Sequence, residues 1–203
     1  AEGPSPGSGA GYDVDLLIIG AGPSGTVAAG TARRAGLSVR MVERETFPRF
    51  VIGESLLPRC MEALEGAGLL EVAKAADFQE KFGAKFLRGA EISDFDFSAK
   101  FTKGYDYTWQ VTRADFDKLL ADEVARQGVR VDFATEVLDV TFDGTDSTTT
   151  VRDTSGATEQ IRARFLIDAS GYGRVLPRLF GLDRPSALPP RRALFGHFED
   201  PHR

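Results

Sequence analysis

Cysteine is almost missing from this sequence. Cys60 stands alone, so no intramolecular disulfide can form, and nothing asks for an oxidising compartment. Histidine is nearly as scarce. His197 and His202 lie near the end of the sequence without metal-ligand spacing, which gives no metal site and no Ser-His triad. There is no basic excess either: 25 Lys plus Arg against 30 Asp plus Glu leave a formal net charge of -5 with the signs interspersed. That balance excludes a nucleic-acid stripe and a polybasic membrane patch. No apolar run approaches a membrane span, and the opening AEGPSPGSGAG has neither the basic start nor the apolar core of a signal peptide. These absences lead us to expect a cytoplasmic protein without nucleic-acid or membrane partners, with residues 1–12 as a flexible leader.

What is present is an ordinary globular composition, with 42% hydrophobic and 27% charged residues over 203 positions. No internal repeat interrupts it. The pattern alternates β and α around a β-rich insert. DVDLLIIG (Asp13 to Gly20) is a continuous apolar run ending in glycine, as expected of a parallel strand buried on both faces. A helix is predicted over Ser24 to Ala35, with Ala28, Ala29 and Ala32 small enough to lie close to the sheet, and a second strand over Leu37 to Glu43. Leu57, Met61 and Leu64 mark an amphipathic helix that stops at Gly66 and Gly68. Phe82 to Val111 turns to period two with aromatics, which predicts antiparallel strands with Trp109 in the core.

Thr112 and Asp115 have the spacing of a capping box for a helix whose stripe is Phe116, Leu119, Leu120 and Val124. VRVDF (Val129 to Phe133) returns to the main sheet. Three short segments near Val137 to Phe142, Thr148 to Arg152 and Glu159 to Ile161 are separated by Asp143-Gly144 and Ser155-Gly156 and predict a small antiparallel meander. FLID (Phe165 to Asp168) is the last predicted core strand.

GAGPSG, Gly20 to Gly25, carries the clearest chemistry. It follows a buried strand, opens a helix and precedes an acidic residue, Glu43, at the end of the next strand. Gly20 permits the tight turn, Gly22 lets the backbone approach a pyrophosphate, and Gly25 lets helix and strand pack. Free amides from Ser24 onward, after Pro23 with no N–H of its own, sit at the positive end of the helix dipole, where an anion is favoured. The Glu43 carboxylate can accept hydrogen bonds from a ribose diol and would repel a 2'-phosphate, which favours NAD or FAD over NADP.

GAGPSG, Glu43-Arg44, FPRFVIGESLLP (Phe47 to Pro58), VTRADFD (Val111 to Asp117) and LIDASG (Leu166 to Gly171) occur in an order that resembles the flavin-dependent halogenases. These belong to the FAD monooxygenase class built like p-hydroxybenzoate hydroxylase. The resemblance implies an α/β fold with a Rossmann-like FAD-binding βαβ sheet, an antiparallel meander and a β-rich insertion. It divides the sequence into an FAD-binding domain over 13–192, with the segment near 82–111 on the substrate side, and an incomplete substrate domain from 193. It also implies reduced FAD from a separate flavin reductase, oxygen and a halide. The resulting hypohalous acid passes to a lysine beside an electron-rich aromatic substrate, of phenol or pyrrole type and in some members tethered to a carrier protein.

Residue by residue, the resemblance places Gly53, Glu54 and Ser55 beside the flavin; capping of the following helix is the structural alternative for Glu54 and Ser55. The lysine position matches Lys81 in FQEKFGAKF, with Lys85 next. Arg113 matches an arginine facing the flavin, although pairing with Asp117 would also account for it. Asp168 and Gly171 match the element near the pyrophosphate and ribityl chain, where Asp168 alternatively stabilises a turn, and Val137 borders the adenine. The family's later Gly-Asp pair and its WxWxIP signature are not found, so this 203-residue piece is expected to bind FAD poorly and not to turn over alone. An aromatic monooxygenase or a geranylgeranyl-reductase-like enzyme is the second expectation, and a catalytically silent flavin-binding module the third.

Overall fold

Strand β1 (Val14–Ile19) divides its side chains between two cores. Leu16 and Ile18 join one apolar cluster with the helices, while Leu17 and Ile19 join a second on the opposite face of the sheet. A strand apolar on both faces must be covered on both, and the topology supplies this. Helix α1 (Pro23–Arg34) leads into β2 (Val39–Val42), all four of whose residues are buried, and β2 pairs parallel with β1 from Leu16 opposite Val39. The computed structural model describes residues 11–196 and 199; the expectations for residues 1–10, for His197 and His202, and for most of a second domain from 193 lie outside them.

After β2 the chain runs through the FPRFVIGESLLP segment to helices α2 (Arg59–Gly66) and α3 (Leu70–Ala75). Met61 and Leu64 are buried as the spacing predicts, but Leu57 precedes the helix and is exposed. The insert then folds as two small sheets. β3 (Gln79–Lys81) pairs with β6 (Thr108–Gln110), and β4 (Gly83–Arg88) forms a hairpin with β5 (Glu91–Asp96). Trp109 is buried, as expected for a core side chain. Residues 97–107 carry no strand, so the predicted run of antiparallel strands over Phe82 to Val111 is interrupted.

Helix α4 (Arg113–Arg126) buries Phe116, Leu120 and Val124 against α1 and α3, with Leu119 half-buried. The capping box is not formed. Thr112 makes no side-chain cap; its carbonyl accepts the N–H groups of Asp115 and Phe116 instead, and an Asp side chain is one methylene shorter than the Glu of such a box.

β7 (Arg130–Asp132) pairs parallel with β2. β8 (Glu136–Asp143), β9 (Asp146–Arg152) and β10 (Thr158–Asp168) complete a six-stranded sheet in the order β7-β2-β1-β10-β9-β8. The meander and the last core strand, expected as separate pieces, are continuous. The first half of β10 pairs antiparallel with β9 and its second half parallel with β1. No turn residue lies between Ile161 and Phe165 to break it, which the two separate period-two signals obscure. A turn of 3-10 helix at Gly171–Gly173 and the short helix α5 (Val175–Leu179) follow.

Candidate functional site

The GAGPSG loop lies where the C-terminal ends of β1 and β10 meet, the usual place for a ligand in a sheet of this kind. Gly20 has φ +98°, and a Cβ there would lie 2.6 Å from the Ala169 carbonyl oxygen, so only glycine allows the two turns to touch. Gly25 is tighter still, with its Cβ position 2.0 Å from the Gly20 carbonyl oxygen. Gly22 is the N-cap of α1, has no side-chain cap, and no acidic residue occupies the first turn. The amides at that end of α1 have no side-chain acceptor and face open space.

That space is a cavity of about 690 Å³. Ten of the expected residues line it: Gly20, Gly22, Pro23, Ser24, Glu43, Arg44, Gly53, Arg113, Val137 and Gly171. The others stand behind its wall. Gly25 packs the helix on the strand, and Asp168 accepts the N–H groups of Ser170 at 2.9 Å and Leu176 at 2.8 Å, which fixes the turn that presents Gly171. Glu43 is 7% exposed. Its Oε2 accepts the Ala21 N–H and its Oε1 the Glu45 N–H, each at 2.9 Å, leaving lone pairs on both oxygens for further donors. Arg44 is exposed and pairs with Glu45 at 3.2 Å.

The GES stretch forms the partition between this cavity and the insert. Gly53 faces the cavity and is held by Arg113, whose Nη1 donates to the Gly53 carbonyl at 3.3 Å and to that of Ile52 at 3.1 Å. Glu54 accepts the Val111 N–H through its backbone carbonyl, Leu56 donates to the Trp109 carbonyl, and Ser55 bridges Gln110, so the stretch runs as a short antiparallel partner of β6. It does not cap the next helix: α2 begins four residues later with Pro58 as its N-cap and no side-chain cap. The Ser55 hydroxyl instead accepts a 2.6 Å hydrogen bond from Lys81 Nζ. That ammonium also donates to the Leu56 carbonyl at 3.1 Å and lies 5.2 Å from the Phe97 ring centroid. Lys85 is on the exposed hairpin, 3.6 Å from Asp94.

Of two further site residues, the sequence anticipates one only as a partner of Arg113 and the other not at all. Asp117 is fully buried and receives Arg113 in bidentate fashion at 2.7 and 2.9 Å. Arg49 lies in the cavity wall between Asp117 and Glu43, over the Phe47 ring. Only the (i, i+4) spacing of Arg113 and Asp117 hints at the first. Arg49 has no sequence signal beyond its place in FPRF. No cluster of metal-ligating side chains occurs among the described residues, and none of their helices is long and apolar enough to cross a membrane.

A glycine loop at a helix N-terminus, a buried carboxylate just past the end of the next strand and a cavity lined also by the Gly171 turn are the arrangement of a dinucleotide-binding α/β domain. The uncapped amides of α1, the bare Gly22 and the size of the cavity fit FAD, which supplies redox chemistry at its isoalloxazine ring. The chain belongs to the FAD binding domain family, whose model matches residues 13–187. It is 35% identical over 158 residues to a tryptophan 2-halogenase of Chondromyces crocatus, covering 77% of this chain and 30% of that one. It is 30% identical over 192 residues to a 1H-pyrrole-2-carbonyl-[peptidyl-carrier protein] chlorinase of Pseudomonas fluorescens, covering 84% and 42%. A solved flavoprotein/dehydrogenase from Cytophaga hutchinsonii superposes with a TM-score of 0.84 at 61% identity, over 87% of this chain and 44% of that one. The chain therefore spans less than half the length of each of these relatives.

Proposed function

We propose that the protein is an FAD-dependent halogenase acting on an electron-rich aromatic ring of phenol or pyrrole type, with Lys81 as the residue that delivers the halogen. The observation that carries this is the placement of Lys81. Its ammonium is tied to Ser55 on the far side of the same GES stretch whose Gly53 lines the cofactor cavity. An oxidant leaving the flavin side thus has a short path, past one stretch of chain, to a hydrogen-bond donor. The similarity to a tryptophan 2-halogenase and to a carrier-protein pyrrole chlorinase supports the reaction class, and the latter supports a carrier-tethered substrate.

In this reading a separate flavin reductase provides reduced FAD. Two electrons and oxygen convert halide to hypohalous acid with release of water, and the ring exchanges C–H for C–halogen with release of a second water. The chain's own part is to hold and to exclude. The α1 amides and Glu43 orient the dinucleotide, Arg113 fixes the Ile52 and Gly53 carbonyls, and Lys81 donates a hydrogen bond to the hypohalous oxygen, directing the halogen. The inserted hairpin contributes to the substrate side.

A second reading, a flavin-dependent oxidoreductase that uses no halide, is favoured by the 61% identity to a flavoprotein/dehydrogenase. The full-length protein incubated with reduced FAD, oxygen, bromide or chloride and free or carrier-bound aromatics separates the two by product mass. Halogen incorporation is expected; hydroxylated or dehydrogenated product alone would establish the second reading.

A further inference from the structure

We propose that Arg49 is the side chain that binds the diphosphate of the cofactor and that the buried Asp117 is its positioning residue. The inference rests on the FAD reading of the cavity. Arg49 has a side chain only 15% exposed, and its guanidinium lies 4.5 Å from the centroid of the Phe47 ring. Burial at this level demands partners, because a guanidinium carries five N–H donors. Its ionic contacts are loose: Nη1 is 3.3 Å from Asp117 Oδ2, and Nη2 is 3.8 Å from Glu43 Oε2. Charge-assisted hydrogen bonds run at about 2.7–2.9 Å.

Both carboxylates already serve tighter donors. Asp117 takes the Arg113 fork at 2.7 and 2.9 Å, and Glu43 takes the backbone amides of Ala21 and Glu45. The incompletely paired guanidinium is directed at the glycine loop. A Cβ on Gly22 would lie 3.6 Å from Arg49 Nη2. Gly22 is the uncapped N-cap of α1, so a cation, free amides and the positive end of a helix dipole converge on one point of the cavity. A planar fork matches the oxygens of a phosphate in two-point fashion.

Asp117 completes the arrangement. Its Oδ2 lies 4.0 Å from the same Gly22 Cβ position, where a lone carboxylate would repel a diphosphate. Held between Arg113 and Arg49, its own charge is offset by two guanidinium groups, and with Glu43 on the other side of Arg49 the four side chains balance to neutrality. Asp117 fixes the Arg49 fork in the cavity wall while leaving its second edge for the ligand.

The test is a set of FAD titrations on the full-length polypeptide, followed by flavin fluorescence quenching at low and high KCl, with thermal melting of each variant. Arg49→Gln is expected to weaken FAD binding about tenfold or more and to bind with less dependence on KCl than the wild type. Arg49→Lys, which covers the case of a Gln variant that does not fold, should keep the salt dependence and recover only part of the affinity. Asp117→Asn should weaken binding alone, while the double variant should lose clearly less than the two single losses combined, the remainder reflecting the Arg113 fork that Asp117 also holds. Wild-type affinity and salt dependence in either Arg49 variant would overturn the assignment of Arg49, and additive losses would overturn that of Asp117. A wild-type protein that does not bind FAD would remove the cofactor reading itself and this inference with it.

Discussion

Lys81 Nζ donates to Ser55 Oγ at 2.6 Å, joining the end of β3 to the stretch of chain that walls the cofactor cavity. The ammonium is thus oriented by the same segment whose Gly53 lines the cavity. Replacing Lys81 with Ala should abolish halogenation, by about 100-fold or more, while oxygen uptake with reduced FAD continues. Ser55→Ala leaves the ammonium its bond to the Leu56 carbonyl and should give a milder loss. Product mass spectrometry together with an oxygen electrode reads both, and equal halogenation in Lys81→Ala would remove the lysine from the chemistry.

Gly25 and Gly66 make a matched pair of tests for close packing. A methyl group at Gly25 would collide with the Gly20 carbonyl oxygen at 2.0 Å, whereas one at Gly66, the last residue of α2, meets nothing within 4 Å. Gly25→Ala is expected to destabilise by about 3 kcal/mol and to abolish FAD binding, because the strand-helix turn must open. Gly66→Ala should stabilise by about 0.5 kcal/mol, the gain in helix propensity. Urea unfolding monitored by circular dichroism measures both.

The acid limb of stability should depend on Glu159 and Asp15. Arg40, buried in β2, donates to both Glu159 oxygens at 2.7 and 2.6 Å and holds that carboxyl below its ordinary range. The Ser38 N–H and hydroxyl do the same for Asp15. A carboxylate whose folded pKa is depressed stabilises the fold above its unfolded value and loses that contribution as pH falls through the folded one. Glu159→Gln should therefore lower the melting temperature at pH 7 and flatten its decline from about pH 4.5 downward. Because the Glu159 side chain is half exposed, the effect should be no more than about 1 kcal/mol. A melting curve series with the same slope as wild type would contradict the assignment.

Phe116 is 1% exposed and meets Phe78 edge-on at 5.7 Å between ring centroids. Phe116→Ala should cost about 3–5 kcal/mol. In contrast, Phe86 and Ile92 on the β4–β5 hairpin are 61% and 64% exposed, and changing either to Lys should shift stability by less than about 0.5 kcal/mol. Chemical denaturation separates these two classes.

The βαβ start was legible because each local signal agreed. An apolar run, glycines at fixed spacing and an acidic strand end all place the same loop, and ten of the expected site residues line one cavity. Harder to see was anything set by long-range pairing. The unity of β10 depends on two different neighbours, and Thr112 fails as a box because the backbone satisfies that helix start unaided. Of the salt links that steady the wall, the Arg113–Asp117 pair was legible from its (i, i+4) spacing, but the extension to Arg49 was not. Asp117 falls on the apolar stripe of an otherwise ordinary helix, and Arg49 becomes informative only once Glu43, Asp117 and Gly22 surround it.

The pairing of β1 with β10 also sets a schedule for biogenesis. The glycine loop emerges early, yet the turn that closes over it begins at Ala169, whose N–H bonds the Ile19 carbonyl. Loop closure over such a separation is slow compared with making a hairpin. A nascent chain stalled on the ribosome before Ala169 should thus remain without flavin, and capture should begin only when β10 clears the exit tunnel.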